Sequence, residues 1–294
     1  ISRNCAHWII ADLAIWMAGH VSVPLHPKLS AESVAQILEH SEAALVFVGK
    51  LDDWPAMSRG VRIGIPTIGL PGCLADWQFD FSWEELQAWT PIQDNPSGQP
   101  GQLATIVYTS GVTGAPKGVM QSFGALGFAA THGSRMFGLG EKDRLFSYLP
   151  LCHPAERMFV EIASIYGGQR VFFAQGRDTF LDDLKLERPT ALFSEPRIWT
   201  RFQMSVYKKL PPARLELLLG LPLIGPYTGR KVLRGLGLDA LKVALSGTAP
   251  MPEALLLWYR RLELDVLQAY GMTESCGYSH VCRPGQRKRG WIGQ

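Results

Sequence analysis

Residues 108–118 read Tyr-Thr-Ser-Gly-Val-Thr-Gly-Ala-Pro-Lys-Gly, which brings hydroxyls, glycines and one lysine into eleven positions. These types suit oxyanion binding. Glycines let backbone N–H groups approach phosphate oxygens, hydroxyls donate further hydrogen bonds, and Lys117 supplies a mobile positive charge. A plain Ser/Gly turn would use the same residues. The run is not a Walker A loop, because G-x-x-x-x-G-K requires Gly where Pro116 stands. Two later stretches also place glycine and polar groups after an apolar run: Ser246-Gly-Thr-Ala-Pro250 and Tyr270-Gly-Met-Thr-Glu274. Taken alone, Tyr270 reads equally well as a half-buried tyrosine at a strand end.

The elements that must position these residues follow from apolar patterning. Strand-like runs are expected at 103–109, 144–149, 170–174, 190–194, 241–246 and 265–270, with helical patterns at 122–137, 157–166, 179–187, 196–208 and 252–262. This alternation predicts an α/β fold whose mostly parallel sheet is covered by helices. The 108–118 stretch is then expected between a strand and a helix. Upstream, 6–20 has helical spacing, Ser30 reads as the N-cap of a helix to about His40, and 43–48 reads as a buried strand. Residues 51–102 are poor in pattern, and the Pro/Gly cluster at 95–101 reads as a loop or linker. Gly235-Leu-Gly-Leu-Asp-Ala240 matches a dinucleotide fingerprint but follows a helix and precedes a strand, the wrong order for that fold. The basic run at Arg283 and Arg287-Lys-Arg289 reads as a solvated loop.

Composition sets the outer limits. The chain has 294 residues, 47% hydrophobic and 19% charged, with mean hydropathy +0.04. These are ordinary globular proportions. Its 29 basic and 26 acidic residues leave a net +3, a balance that predicts neither nucleic-acid binding nor a broad anionic-membrane surface. Five scattered cysteines without a C-x-x-C pair argue against a disulfide framework or zinc cage, and for a reducing, cytoplasmic location. No run of about 18 uncharged apolar residues is present, so no transmembrane segment is expected. The best apolar run, Trp8 to Met17, is interrupted by Asp12. The chain opens at Ile1 without an initiator Met and stops at Gln294 without a polar tail, and reads as a fragment.

The three polar stretches, in their order, resemble the phosphate loop, the adenine-facing loop and the adenine-and-metal motif of adenylate-forming enzymes. That superfamily comprises acyl-CoA synthetases, luciferases and peptide-synthetase adenylation domains. Leu149-Pro-Leu-Cys-His-Pro-Ala-Glu-Arg157 and Pro196-Arg-Ile-Trp199 are further similar to segments of long-chain fatty acyl-CoA synthetases. The resemblance covers essentially the whole chain. It implies the layered α/β fold of that family's large N-terminal domain, here incomplete, with approximate lobes 1–100 and 101–294 and without the C-terminal domain.

By position, the resemblance implies that Thr109, Ser110, Gly111, Thr113, Gly114 and Lys117 hold the triphosphate of ATP. The backbone of Gly247 and Thr248 would lie on one face of adenine and the Tyr270 ring on the other, with Ala249, Gly271 and Met272 completing the nucleotide site. Thr273 would touch the α-phosphate, Thr109 and Glu274 would hold Mg2+, and His153 would stand near the carboxylate end of an acyl site. Lys117, His153 and Glu274 are thus the candidate catalytic residues. Read without the resemblance, His153 is a structural hydrogen bonder and Glu156–Arg157 a surface pair. Two positions depart from the pattern: Val112 stands where Thr or Ser is usual, and Thr248 where Gly or Ala is usual. The implied activity joins a fatty acid to CoA through an acyl-adenylate, with small molecules as partners, peripheral membrane contact allowed, and a truncated chain poorly active alone. The alternatives are an acyl-AMP ligase or amino-acid adenylation domain on the same fold, or a non-catalytic nucleotide-binding remnant.

Overall fold

The computed structural model describes residues 1–94, 96–110, 116–176, 178–283 and 285. The chain divides into two compact units, one formed by Ile1–Ala129 with Tyr148–Glu161 and the other by Ala130–Ser147 with Ile162–Gln294.

In the first unit, apolar residues at helical spacing fold as the helix Ala6–Met17. Ser30 caps the helix Ala31–His40 as its spacing predicts, its hydroxyl accepting from the Ser33 N–H at 3.2 Å. That helix buries Val34, Ile37 and Leu38 in a core with Val46, Val48, Trp54 and Met57. Strands β1 (Val46–Val48), β2 (Thr67–Gly69) and β3 (Phe81–Ser82) pair in parallel in that order. Two of these strands, and the short helices Trp54–Ser58 and Trp83–Gln87, fall in the stretch that lacks a legible pattern.

The main departure from expectation lies at the 108–118 stretch. Strand β4 (Leu103–Ser110) is followed by a second strand, β5 (Pro116–Ser122), paired with it antiparallel; only then does the helix Phe123–Phe137 begin. The described parts of the stretch, Tyr108–Ser110 and Pro116–Gly118, therefore lie in paired antiparallel strands rather than in a strand-to-helix turn. The pairing Tyr108↔Gly118 shows why glycine suits this strand. A Cβ at Gly118 would stand 2.8 Å from Ile106 Cγ2 and 3.3 Å from Tyr108 Cζ.

The second unit holds a six-stranded sheet in the order β11-β10-β9-β8-β6-β7. Its strands are β6 (Arg144–Ser147), β7 (Arg170–Phe173), β8 (Ala191–Ser194), β9 (Val243–Ser246), β10 (Val266–Tyr270) and β11 (His280–Val281). All neighbours pair in parallel except β10 with the edge strand β11. The intervening helices include Phe180–Glu187, Pro196–Tyr207 and Glu253–Arg261, close to the expected spans. Trp199, Phe202 and Tyr259 are fully buried, and the Tyr259 hydroxyl donates to the Trp199 carbonyl at 2.6 Å, satisfying the one polar atom that its ring brings inside. The helices Pro212–Gly220 and Ile224–Leu236 had no counterpart in the sequence reading.

Candidate functional site

The hairpin of the first unit sets Thr109 directly opposite Lys117, and the backbone of Ser110 opposite Pro116. Thr109 is half-buried, and the Lys117 side chain is exposed, with no ion pair among the described residues. Gly111, Val112, Thr113 and Gly114 lie outside the described residues. Behind this end, the Tyr108 hydroxyl is 2.6 Å from His40 Nδ1, and burial pushes the phenol pKa up.

Residues 148–157 of the same unit form a braced loop. The Asn4 side chain donates to the Leu149 carbonyl at 2.5 Å and accepts from the Leu151 N–H at 3.1 Å. Glu156 Oε1 accepts from the Tyr148 N–H at 2.9 Å and lies 3.4 Å from Asn4 Nδ2. His153 presents an exposed ring, and its Nδ1 accepts from the Ala155 N–H at 3.3 Å, capping the turn Pro154–Glu156. In the neutral ring this leaves the proton on Nε2. Burial pushes the Cys152 thiol pKa up to about 12, away from the thiolate form that nucleophilic cysteines use.

The surface-pair reading of Glu156 and Arg157 is wrong, since the two are 2% and 1% exposed and serve different networks. The Arg157 Nη2 donates to Asp12 Oδ2 at 2.6 Å and its Nε lies 3.7 Å from Glu161 Oε2. The guanidinium also sits 5.5 Å from the ring centroids of both Trp8 and Trp16. Burial and neighbouring charges pull the group in opposite directions: burial lowers the Arg157 pKa, while Asp12 and Glu161 hold it above its usual value. Burial pushes the Glu161 carboxyl well above the ordinary carboxylate range. Asp12 and Asn4 were not singled out as site residues from sequence. For Asp12 there was a signal, a lone acid inside an apolar helical run. Asn4 carried none.

In the second unit, the two remaining motifs meet at the carboxyl ends of adjacent parallel strands. Gln268 of β10 pairs with Ser246 of β9, so Gly247–Ala249 leaves the sheet beside Tyr270–Glu274. The two are tightly apposed. A Cβ at Gly247 would stand 3.0 Å from the Ala269 carbonyl oxygen and 2.9 Å from Phe193 Cζ, and Gln268 Oε1 accepts from the Met251 N–H at 3.0 Å. A Cβ at Gly271 would fall 2.2 Å from the Gly277 carbonyl oxygen, because the chain folds back through the 3₁₀ turn Thr273–Ser275. Thr248, Ala249, Gly271 and Met272 are exposed and Thr273 is half-buried. Glu274 is exposed, without an ion pair among the described residues. Tyr270 is 47% exposed at the end of β10, its ring 6.0 Å from that of His280, its cross-strand partner. The carboxyl edge of a parallel sheet is where α/β folds bind ligands. An exposed aromatic ring, close-packed glycine backbone, a hydroxyl and an available carboxylate are groups that could receive a planar ring and a hard cation.

Thr248 holds φ +69°, a left-handed conformation that a β-branched residue adopts only under strain. That position costs an L-residue about 1–2 kcal/mol, part of which glycine returns through its greater unfolded entropy. Thr248→Gly is therefore expected to raise stability in urea unfolding by up to about 1 kcal/mol. A variant no more stable than the parent would show that this backbone is unstrained.

A family model for AMP-binding enzymes matches residues 1–294. The chain is 29% identical to the long-chain-fatty-acid–CoA ligase ACSBG2 of Gallus gallus, the match covering 96% of this chain and 43% of that protein. It is 28% identical to long chain acyl-CoA synthetase 2 of Arabidopsis thaliana, over 96% and 48% of the two chains. The chain thus spans less than half the length of these curated relatives. Among solved structures, the N-terminal domain of FACL13 from Mycobacterium tuberculosis superposes with a TM-score of 0.69 at 24% identity, covering 96% of this chain and 64% of that one. The o-succinylbenzoate CoA synthetase of Bacillus subtilis, solved with ATP and magnesium, gives 0.71 at 24% identity over 99% and 53%. At these identities the structural likeness concerns the fold.

Proposed function

This chain belongs to the AMP-binding enzyme family, and from that premise we propose that it carries the ATP-binding part of a long-chain fatty acid–CoA ligase. The observation that carries the nucleotide half of the reading is the juxtaposition of Gly247–Ala249 with Tyr270–Glu274 at the carboxyl ends of β9 and β10. The fatty-acid half draws support from the names of the relatives and from the Leu149–Arg157 segment.

In the proposed reaction a fatty carboxylate oxygen attacks the α-phosphorus of ATP and pyrophosphate leaves. The thiolate of CoA then attacks the acyl carbonyl of the adenylate and AMP leaves. The first step brings anions together, so positive charge and backbone donors must be held in place beforehand. Lys117, with Thr109, Ser110, Gly111, Thr113 and Gly114, would receive the phosphates. Tyr270 and the Gly247–Thr248 backbone would receive the adenine, with Ala249, Gly271 and Met272 beside it. Thr273 would meet the α-phosphate, and Glu274 and Thr109 would hold Mg2+. His153 would stand near the acyl carboxylate. No protein nucleophile is required. The five cysteines, all thiols, support the cytoplasm as the compartment.

The test is acid-dependent ATP–pyrophosphate exchange with acetate, octanoate, palmitate and a mixed amino-acid pool. It is run on this chain and on any longer natural polypeptide that contains it, since the relatives are more than twice as long. Palmitate is expected to stimulate exchange most. Stimulation by amino acids alone would overturn the acyl assignment. ATP binding without exchange in either form would favour a non-catalytic nucleotide binder, a reading to which the strained Thr248 lends some weight.

A further inference from the structure

Residues 208–234 of the second unit carry a feature that the nucleotide site does not use. The helices Pro212–Gly220 and Ile224–Leu236 pack against each other as a hairpin. They approach closely at Gly225, where a Cβ would lie 2.5 Å from the Leu219 carbonyl oxygen. One face is committed to the interior: Leu215, Leu233 and Leu236 are buried. A second apolar set is not. Leu217, Leu221, Leu223, Ile224 and Tyr227 are all exposed, Leu223 at 90%. They converge on the tip, where Leu223 is held at φ +64°. A leucine kept in a left-handed conformation at the most exposed point of a hairpin is strain without a packing return.

The charges around the tip are one-sided. Between Lys208 and Arg234 the chain has six basic residues and one acidic residue, 6 − 1 = +5, whereas the whole chain is only +3. The single acid, Glu216, is taken by Arg261, and Arg230 lies 3.8 Å from Glu263. Lys208, Lys209, Arg214 and Lys231 are exposed and make no ion pair among the described residues. At 1.5 Å per helical residue, Arg214 and Arg230 each stand about 10 Å along their helices from the Leu221–Leu223 tip. An apolar tip with cations set back by roughly that depth matches a bilayer interface, where apolar side chains enter about 5–10 Å and cations meet the headgroups.

We propose that the Leu217–Tyr227 tip docks this protein on an anionic lipid bilayer, the tip entering the headgroup–acyl boundary and the flanking lysines and arginines meeting lipid phosphates. The near-neutral total charge conceals this surface because the acids are concentrated elsewhere in the chain. The inference does not rest on the acyl reading, since docking requires neither ATP nor a fatty acid.

The experiment is co-sedimentation with large unilamellar vesicles of phosphatidylcholine, alone or with about 30% phosphatidylglycerol, without ATP or fatty acid. The chain is expected to bind the anionic vesicles and to be released by salt. Leu223→Asp with Ile224→Asp should lower partitioning by about tenfold or more. Lys208→Gln, Lys209→Gln, Arg230→Gln and Lys231→Gln together should do so on the anionic vesicles only. Circular dichroism checks that the variants stay folded, and these exposed positions should tolerate the changes. Absence of binding at low salt, or equal binding by the tip variant, would overturn the proposal. So would a concentration-dependent dimer, lost in the tip variant and indifferent to vesicles, which would assign the face to a second copy of the chain.

Discussion

Lys117→Ala is expected to lower acid-dependent ATP–pyrophosphate exchange by about 10²–10³-fold, the usual loss when one preorganised group that stabilises transition-state charge is removed. The side chain is exposed, opposite Thr109 at the end of the β4–β5 hairpin, and engages no carboxylate among the described residues. Its charge is therefore available to an incoming anion. Because it is exposed, the same substitution should change folding stability by no more than about 0.5 kcal/mol, so a loss of exchange with an unchanged melting curve isolates the chemical role. The loss should fall mainly on kcat if Lys117 acts on charge developing during pyrophosphate departure, and on the KM for ATP if it only binds the ground state. Lys117→Arg keeps the charge but replaces a compact ammonium with a planar fork, and should recover only part of the rate. Exchange unaffected by Lys117→Ala would remove the hairpin from the phosphate site and with it the phosphate-binding role proposed for residues 109–114.

The second unit was the more legible of the two, for a physical reason. Runs such as 241–246 and 265–270 each carry a buried apolar centre, Val243–Leu245 and Val266–Leu267, and glycine follows each run. A parallel sheet requires this pattern, and its carboxyl edge then places the motifs. The hairpin was missed because β5 is defined by its partner rather than by its own pattern. Pro116, Lys117 and Gly118 are poor strand formers, and the pairing with β4 overrides them. Strands β2 and β3 are three and two residues long, too short for any period to show. The Pro212–Leu236 hairpin was hidden because Gly220, Pro222 and Pro226 interrupt the apolar spacing, and because its outward leucines carry no inward phase. Arg157 was misjudged because charge next to charge reads as surface. Its burial depends on Trp8, Asp12 and Trp16, which are distant in sequence and adjacent only once folded.

That burial underlies the largest stability effect expected for this chain. Arg157→Ala should cost about 3–5 kcal/mol, because removing one member of a buried ionic cluster leaves its partners uncompensated. For a unit of this size the loss corresponds to a fall in melting temperature on the order of 10 °C. Asp12 would lose its 2.6 Å donor while still accepting from Ser22, and Trp8 and Trp16 would lose the cation between them. Glu161 supplies the pH dependence. Its folded pKa is raised above its unfolded value by burial, so its contribution is fully present below the unfolded pKa and is lost as pH rises through the folded one. The parent should therefore weaken from about pH 5 upward relative to Glu161→Gln, which keeps the shape and removes the titration. At pH 8 the glutamine variant should be at least as stable as the parent. Removing the whole cluster with Arg157→Leu, Asp12→Asn and Glu161→Gln together should recover more than half of the loss seen in Arg157→Ala, since no buried charge is then left alone. The measurement is thermal unfolding of the four chains at pH 5 and pH 8. An Arg157→Ala variant melting within about 1 kcal/mol of the parent, or a glutamine variant weaker than the parent at pH 8, would show that the cluster is solvated rather than buried.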